Sequence, residues 1–413
     1  MSAAGSVAAT RGFAAFRARD FRLLIVGKVF GWMALHMQIM AVQYQVYDQT
    51  GDVRNLAYLS LAAFAPAMGF SLITGYVADR FDRRLVVAIC YLIVLIASAL
   101  FLWYTLAGIT AVWPMFAIML FEGAGRAFHQ PAIASFVPNL VPEETFSNAV
   151  AWHSTVNKVC QVAGPALGGL LYATGPEVVY AIACVALVIA TATTLLIRTR
   201  TTRGQRHPTT LSTLLAGLRY VYNKKIIFGA ITLDLFVVLL GSVTALFPVF
   251  AKDILHTGST GAGLLRSAIA AGALVSGLAL TQIDINRSVG RTMFATVLIY
   301  GAATIVFGYS QLYWLSLLSM AVLGAADMIS VNIRVTLLQI ATPDEMRGRV
   351  SAVSAVFTGA SNELGETRAG MMAAALGAVP AVLFGGVCSI AVAAVCWRAF
   401  PNLLGVQKFD EVR

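Results

Sequence analysis

The chain has 413 residues, of which 59% are hydrophobic and 12% charged, with a formal net charge of +10. A soluble domain carries about 25% charged residues, so this chain lacks the side chains for a large water-facing surface, and lipid is the solvent that its composition fits. Backbone groups in lipid must be paired internally, which leaves helices or a closed barrel; the runs 85–107 and 178–197 lack the two-residue alternation of barrel strands, so helices are expected.

Arg11, Arg17, Arg19 and Arg22 precede the first apolar stretch. No short apolar core with a small-residue cleavage site follows, so an uncleaved start with a surface helix is expected, not a signal peptide. Apolar runs long enough to cross a bilayer fall at 22–45, 55–78, 85–107, 112–136, 144–173 and 177–197, then at 226–251, 260–282, 290–309, 312–339, 344–374 and 379–400. Gly51, Gly108, Pro142, Gly175-Pro176, Gly258, Pro343 and Gly377 mark many of the boundaries. Residues 198–225 break the rhythm with Arg198, Arg200, Arg203, Arg206, Arg219, Lys224 and Lys225. The expected organisation is a six-helix half at 1–197, a cytoplasmic central loop at 198–225 and a second six-helix half at 226–413.

The cations are placed unevenly. About 21 of the 29 Lys and Arg fall in the N-terminus, the even-numbered loops, the C-terminus and the span ends next to them, against about two in the odd-numbered loops. Positive charge stays in the cytoplasm, so both termini are expected there. The same bias accounts for the basic charge without nucleic acid, and it brings the central loop to anionic lipid. The five cysteines, Cys90, Cys160, Cys184, Cys388 and Cys396, lie in apolar runs without metal-ligand spacing. No metal and no cofactor is expected, and a phosphate-binding GxxxxGK[ST] loop is missing.

The halves repeat. A shift of about 200 residues lays Val141-Pro142-Glu143-Glu144 on Thr342-Pro343-Asp344-Glu345, Gly123 on Gly324, Gly164 on Gly365 and Gly169 on Gly370. Thr342 to Glu345 also reads as a helix start, with Thr342 as cap and Glu345 completing a capping box.

After the second span stands Gly75-Tyr-Val-Ala-Asp79-Arg80-Phe-Asp82-Arg83-Arg84. An acid among three arginines at the membrane edge can pair with Arg83 or with the positive end of a helix and latch one conformation. This GxxxDRxxRR pattern resembles the signature loop of the major facilitator superfamily, with Asp82 where that family usually has glycine. The stretch from Gly277 to Arg291 keeps a glycine and basic residues but not the pattern. In the fifth span, Gly164-Pro165-Ala-Leu-Gly168-Gly169 resembles the motif of facilitator exporters that work by proton antiport, with Cys160 in place of the glycine expected four residues earlier. FRARDFRLL at 16–24, PDEMRGRVSAV at 343–353 and SNELGE at 361–366 resemble the bacterial exporter branch that handles siderophores, macrolides and other drugs. The resemblance covers nearly the whole chain. It implies an all-α membrane fold of two pseudo-symmetric six-helix halves and secondary active export of a small organic molecule. It also implies proton antiport with alternating access, in a bacterial inner membrane, by a monomer whose partners are substrate, protons and lipid.

A charge at the bilayer centre costs at least ~2.5–3.5 kcal/mol, so each embedded charge should pair, snorkel or face a wet cavity. These are Lys28, Glu122, Arg126, Lys158, Asp234, Arg266, Asp327, Arg334, Glu363, Glu366 and Arg368. Glu122, Arg126 and His129 share a helix face, as do Asp327 and Arg334. His36, Gln43 and Tyr47 form one polar stripe; His153, Asn157 and Gln161 form another. Trp32, Tyr44, Trp152 and Phe236 offer stacking surface. Arg126 is the leading candidate for substrate contact or gating, Asp234 and Glu366 for carrying the proton. An importer or uniporter on the same fold is the rival within transport. A lipid-acting membrane enzyme is the rival outside it, but no nucleophile and base pair follows from the spacing.

Overall fold

The computed structural model describes residues 12–199, 211–283 and 286–412. The described residues begin with a 3-10 turn, Ala14–Arg17, and then form α1 (Arg19–Thr50), α2 (Arg54–Arg80), α3 (Arg83–Leu106), α4 (Trp113–Phe136), α5 (Phe146–Tyr172) and α6 (Pro176–Leu195). After the central segment come α7 (Leu211–Asn223), α8 (Lys225–Gly241), α9 (Gly258–Ala279), α10 (Val289–Tyr309), α11 (Tyr313–Ile340), α12 (Asp344–Leu376) and α13 (Ala378–Ala399). A helix of 20 residues rises about 30 Å, the thickness of the hydrocarbon layer. By length and composition eight of the described helices can cross a membrane. Helices α4, α5 and α12, which carry Glu122, Arg126, Lys158, Glu363, Glu366 and Arg368, are not among those eight.

The chain clusters into two compact units. One comprises Met1–Val42 with Ala65–Thr209, the other Gln43–Phe64 with Thr210–Arg413. In the first, α3 packs on α4 and α6, and the core gathers Phe21, Tyr91, Phe136, Ala183 and Leu187. In the second, α9 packs on α11 and α10 on α13, around Leu233, Phe250, Phe294 and Phe307. A Cβ at Gly272 would strike the backbone of Ala321, and one at Gly324 would strike that of Ile269. These reciprocal glycines let the α9 and α11 backbones meet, the small-residue packing that lipid favours.

Two local expectations are corrected. The span expected at 226–251 lies within the membrane-span candidate Lys225–Ile254, but it is not one continuous α-helix: α8 ends at Gly241, Ser242 is extended, and a 3-10 turn (Thr244–Leu246), a helical turn (Phe247–Val249) and a π turn (Phe250–Ile254) follow. Pro248 has no N–H to continue an α ladder. Side chains serve the freed carbonyls: Tyr300 Oη donates to Gly241 O at 3.3 Å and Arg368 Nη2 to Ser242 O at 3.1 Å. Thr342 also does not cap α12. Pro343 occupies the cap position in extended conformation, which leaves Thr342 one residue too far upstream, and its buried hydroxyl has no hydrogen-bond partner.

Candidate functional site

In the first unit the polar groups lie on α1, α3, α4 and α5. Gln38 and Glu122 are both fully buried. Gln38 Nε2 donates to Glu122 Oε2 at 2.6 Å, and Ser98 Oγ donates to Gln38 Oε1. One turn along α4 from Glu122 sits half-buried Arg126, followed by buried His129. The His129 ring lies 5.9 Å from Trp32 and 4.9 Å from Tyr91, and Trp32 lies 5.4 Å from His36. Trp32 Nε1, Tyr91 Oη, His129 Nε2, Asn157 Oδ1 and Glu122 Oε1 are buried without a hydrogen-bond partner. Each such atom costs about 1–3 kcal/mol where nothing pairs it.

Lys28 is also fully buried. Its ammonium donates to His153 O at 2.9 Å and lies 2.8 Å from both ring nitrogens of His153. The expected stripe of His153, Asn157 and Gln161 therefore begins with a residue already engaged by α1. Gly164 and Gly168 are the approach points of α5 to α1: a Cβ would stand 2.5 Å from His36 Cβ at the first and 2.8 Å from Met37 O at the second. Pro165 and Gly169 are buried beside them. Trp152 is not free for stacking on a substrate. Its indole donates to Gly12 O at 2.8 Å, and the rings of Phe13 and Phe16 each lie 5.0 Å away.

At the loop between α2 and α3, the Gly75 and Asp79 side-chain positions lie outside the described residues. Arg80 is exposed. Arg83 Nη1 donates to Ser135 O at the end of α4, and Arg84 Nη1 to Ile197 O past α6, both at 2.9 Å. Asp82, which stands where the family has glycine, is the N-cap of α3, its carboxylate accepting from Arg84 N at 3.0 Å.

The second unit holds two charge clusters. Asp234 on α8 and Arg334 on α11 form an ion pair at 2.6 Å with side chains 5% and 4% exposed. Arg334 Nη1 also donates to Thr358 Oγ1 on α12 at 3.0 Å. Glu366, further along α12, collects donors from several elements. Thr244 Oγ1 donates to it at 2.7 Å, Ser60 Oγ at 3.2 Å and Gln43 Nε2 at 3.4 Å, while Arg266 Nη2 stands 3.7 Å away. Arg266 Nη1 also donates to Gln43 Oε1 at 2.5 Å. Near the end of α1, Tyr47 Oη donates to Asp253 and Lys252 pairs with Asp48 at 2.5 Å.

A sequence profile of the family described as transmembrane secretion effectors matches residues 10–407. The chain belongs to that family, within the major facilitator superfamily. Macrolide efflux protein A of Streptococcus pyogenes is 23% identical over 381 residues, 90% of this chain and 92% of the relative. Enterobactin exporter EntS of Citrobacter koseri is 26% identical over 335 residues, 81% and 80% of the two chains. Among solved structures, a bacterial homologue of the human lysosomal transporter Spinster, inward-facing and occupied, has the same fold at a TM-score of 0.73 and 15% identity, over 94% of this chain and 98% of that one. This family member is accordingly a multi-pass membrane transporter of the major facilitator fold, and not an enzyme.

Of the expected site residues, the fold joins Asp234 to Arg334 and Gln43 to Glu366, and it sets His36 and His129 around Trp32. Glu122 finds Gln38, which the sequence reading passed over. Half-buried Asp327 and Gln161 stand on α11 and α5. Ser60, Thr244 and Thr358 were also missed. As single hydroxyls they are indistinguishable in sequence from residues bonding their own preceding turn; Gln38, an amide inside an apolar run, did carry a signal.

Proposed function

We propose that this transporter exports a small organic molecule, a siderophore, macrolide or related amphipathic compound, from a bacterial cytoplasm across the inner membrane by proton antiport and alternating access. It works as a monomer with both termini cytoplasmic. The observation that carries the export reading is the similarity to an efflux protein over 90% of the chain. The span 5 glycines, which seat α5 on α1, agree with it.

In this reading the unpartnered atoms of Trp32, Tyr91, His129 and Asn157, with Arg126 beside them, meet the polar groups of the substrate. Asp234 and Glu366 are the proton carriers. Each is tied to an arginine inside the second unit, so protonation of the acid frees the arginine and loosens the helices that it joins. The segment Gly75, Asp79, Arg80, Arg83 and Arg84 is the cytoplasmic latch, with Arg83 and Arg84 holding the ends of α4 and α6. The two sequence halves, 1–197 and 226–413, rock about the central loop 198–225.

The test is substrate efflux in proteoliposomes under an imposed pH gradient, with erythromycin and a catecholate siderophore as probes. The parent protein moves at least one of them against its gradient. Glu366→Gln or Asp234→Asn abolishes gradient-driven movement while counterflow of substrate persists. Gradient-independent transport in the parent overturns proton coupling; net uptake in the direction of cell entry overturns export.

A further inference from the structure

Helix α7 uses only one face to hold the second unit. Val221 packs with Ile227, Ile231, Leu338, Val350 and Val353. Tyr220 Oη donates to Ala341 O at 3.0 Å. Gly217 is buried so closely against α12 that a Cβ would stand 2.8 Å from Arg349 O. Residues 217, 220 and 221 share that face by helical spacing. The opposite face carries Leu215, Leu218 and Tyr222, which are 55%, 42% and 69% exposed, at the i, i+3, i+7 spacing of an apolar stripe. Exposed Arg219 lies within the stripe, and exposed Lys224 and Lys225 stand at its end, where the chain turns into the apolar helix α8.

At that turn a cavity of about 320 Å³ opens, lined by Asn223, Lys224, Lys225, Ala341, Asn402 and Glu411. It falls at the small end of the range of molecular binding sites, roughly 300–1,000 Å³. Glu411 is its one acid, and its carboxylate already accepts from Gln407 N at 2.9 Å. The cavity thus combines two lysines and two asparagines with Ile226, Ile227 and one carboxylate, an excess of positive charge, and its lining begins at Asn223, the residue after the last one of the apolar stripe.

We infer that α7 and this cavity form a docking site for an anionic phospholipid, its phosphate head held by Lys224, Lys225 and Arg219 and its acyl chains lying along Leu215, Leu218 and Tyr222. Charge complementarity selects this occupant. An apolar stripe carrying cations, at the point where the chain enters the apolar α8, matches the boundary between acyl chains and anionic heads. A soluble anion would leave the stripe uncovered, and a zwitterionic lipid would leave the cations without net compensation. Because the other face of α7 is fixed to the start of α12, a bound lipid bears directly on the helix that carries Glu366 at its far end.

The test reads lipid retention, so it does not depend on the substrate or on coupling. Full-length protein in detergent is incubated with phosphatidylglycerol or phosphatidylcholine, and bound lipid is counted by native mass spectrometry. The parent should retain phosphatidylglycerol in preference to phosphatidylcholine. Each of Arg219→Gln, Lys224→Gln and Lys225→Gln should lower retention roughly fivefold, while Lys224→Arg with Lys225→Arg keeps it. Leu218→Ser should weaken it without changing the headgroup preference. Equal retention of the two lipids by the parent, or undiminished phosphatidylglycerol binding in all three glutamine variants, overturns the site.

Discussion

The Asp234–Arg334 pair makes a quantitative demand. Its members are 2.6 Å apart and nearly sealed from solvent. Asp234→Asn removes one charge and leaves the guanidinium donating to the Thr358 hydroxyl. Breaking a buried pair from one side costs about 3–5 kcal/mol, because the surviving charge is desolvated and uncompensated. Replacing both members by apolar residues of similar size is neutral or better for the same reason. Asp234→Asn should therefore lower unfolding stability by about 3 kcal/mol or more, and the double variant Asp234→Leu with Arg334→Met should recover most of that loss. The assay is equilibrium unfolding of purified protein in mixed micelles, followed by tryptophan fluorescence, with a double-mutant cycle. A single variant within about 0.5 kcal/mol of the parent, with additive effects in the cycle, would show that the pair is solvated or not formed, and would remove Asp234 from the coupling scheme.

Asp20 at the start of α1 accepts from Arg198 N, Thr199 N and Thr199 Oγ1 at 3.1, 2.8 and 2.5 Å, so Asp20→Ala should cost about 1–2 kcal/mol and speed tryptic cleavage after Arg198; an unchanged cleavage rate speaks against the clamp. Gly168→Ala pushes a methyl to 2.8 Å from Met37 O, whereas Gly359 has nothing within 4 Å. The first change should destabilise by about 1–3 kcal/mol and the second should be tolerated, and equal melting temperatures for the two variants contradict the close packing of α5 on α1. With the native cysteines replaced, Gln205→Cys and Gln407→Cys should resist an impermeant maleimide in intact cells; labelling of either from outside reverses the proposed orientation.

Much of the fold was legible because lipid imposes a one-dimensional rule. Each span needs roughly 20 apolar residues, so the expected runs at 85–107 and 290–309 meet helices Arg83–Leu106 and Val289–Tyr309, whereas the charge-bearing α4, α5 and α12 do not meet that rule. The break at Ser242 escaped notice because the run 226–251 is long enough to read as one span, although Gly241, Ser242, Thr244 and Pro248 interrupt its apolar residues. Asp82 was read as a departure from a loop pattern, whereas its cap on Arg84 N is a local backbone event that a pattern of residue types does not display.

The family came from the resemblance of its motifs; the sequence by itself determined the lipid solvent, the helical class and the set of charges that lipid would not tolerate alone. Those follow from composition and spacing, which are properties of neighbours along the chain. Only the tertiary structure decided how that set divides: Asp234 with Arg334 a hundred residues on, Glu366 with Gln43, Ser60, Thr244 and Arg266, and Lys28 with His153. The physical reason is that a buried charge is stabilised by whichever complementary group the packing brings within about 3–4 Å, and helices joined through distant segments settle that distance only when their apolar faces have packed.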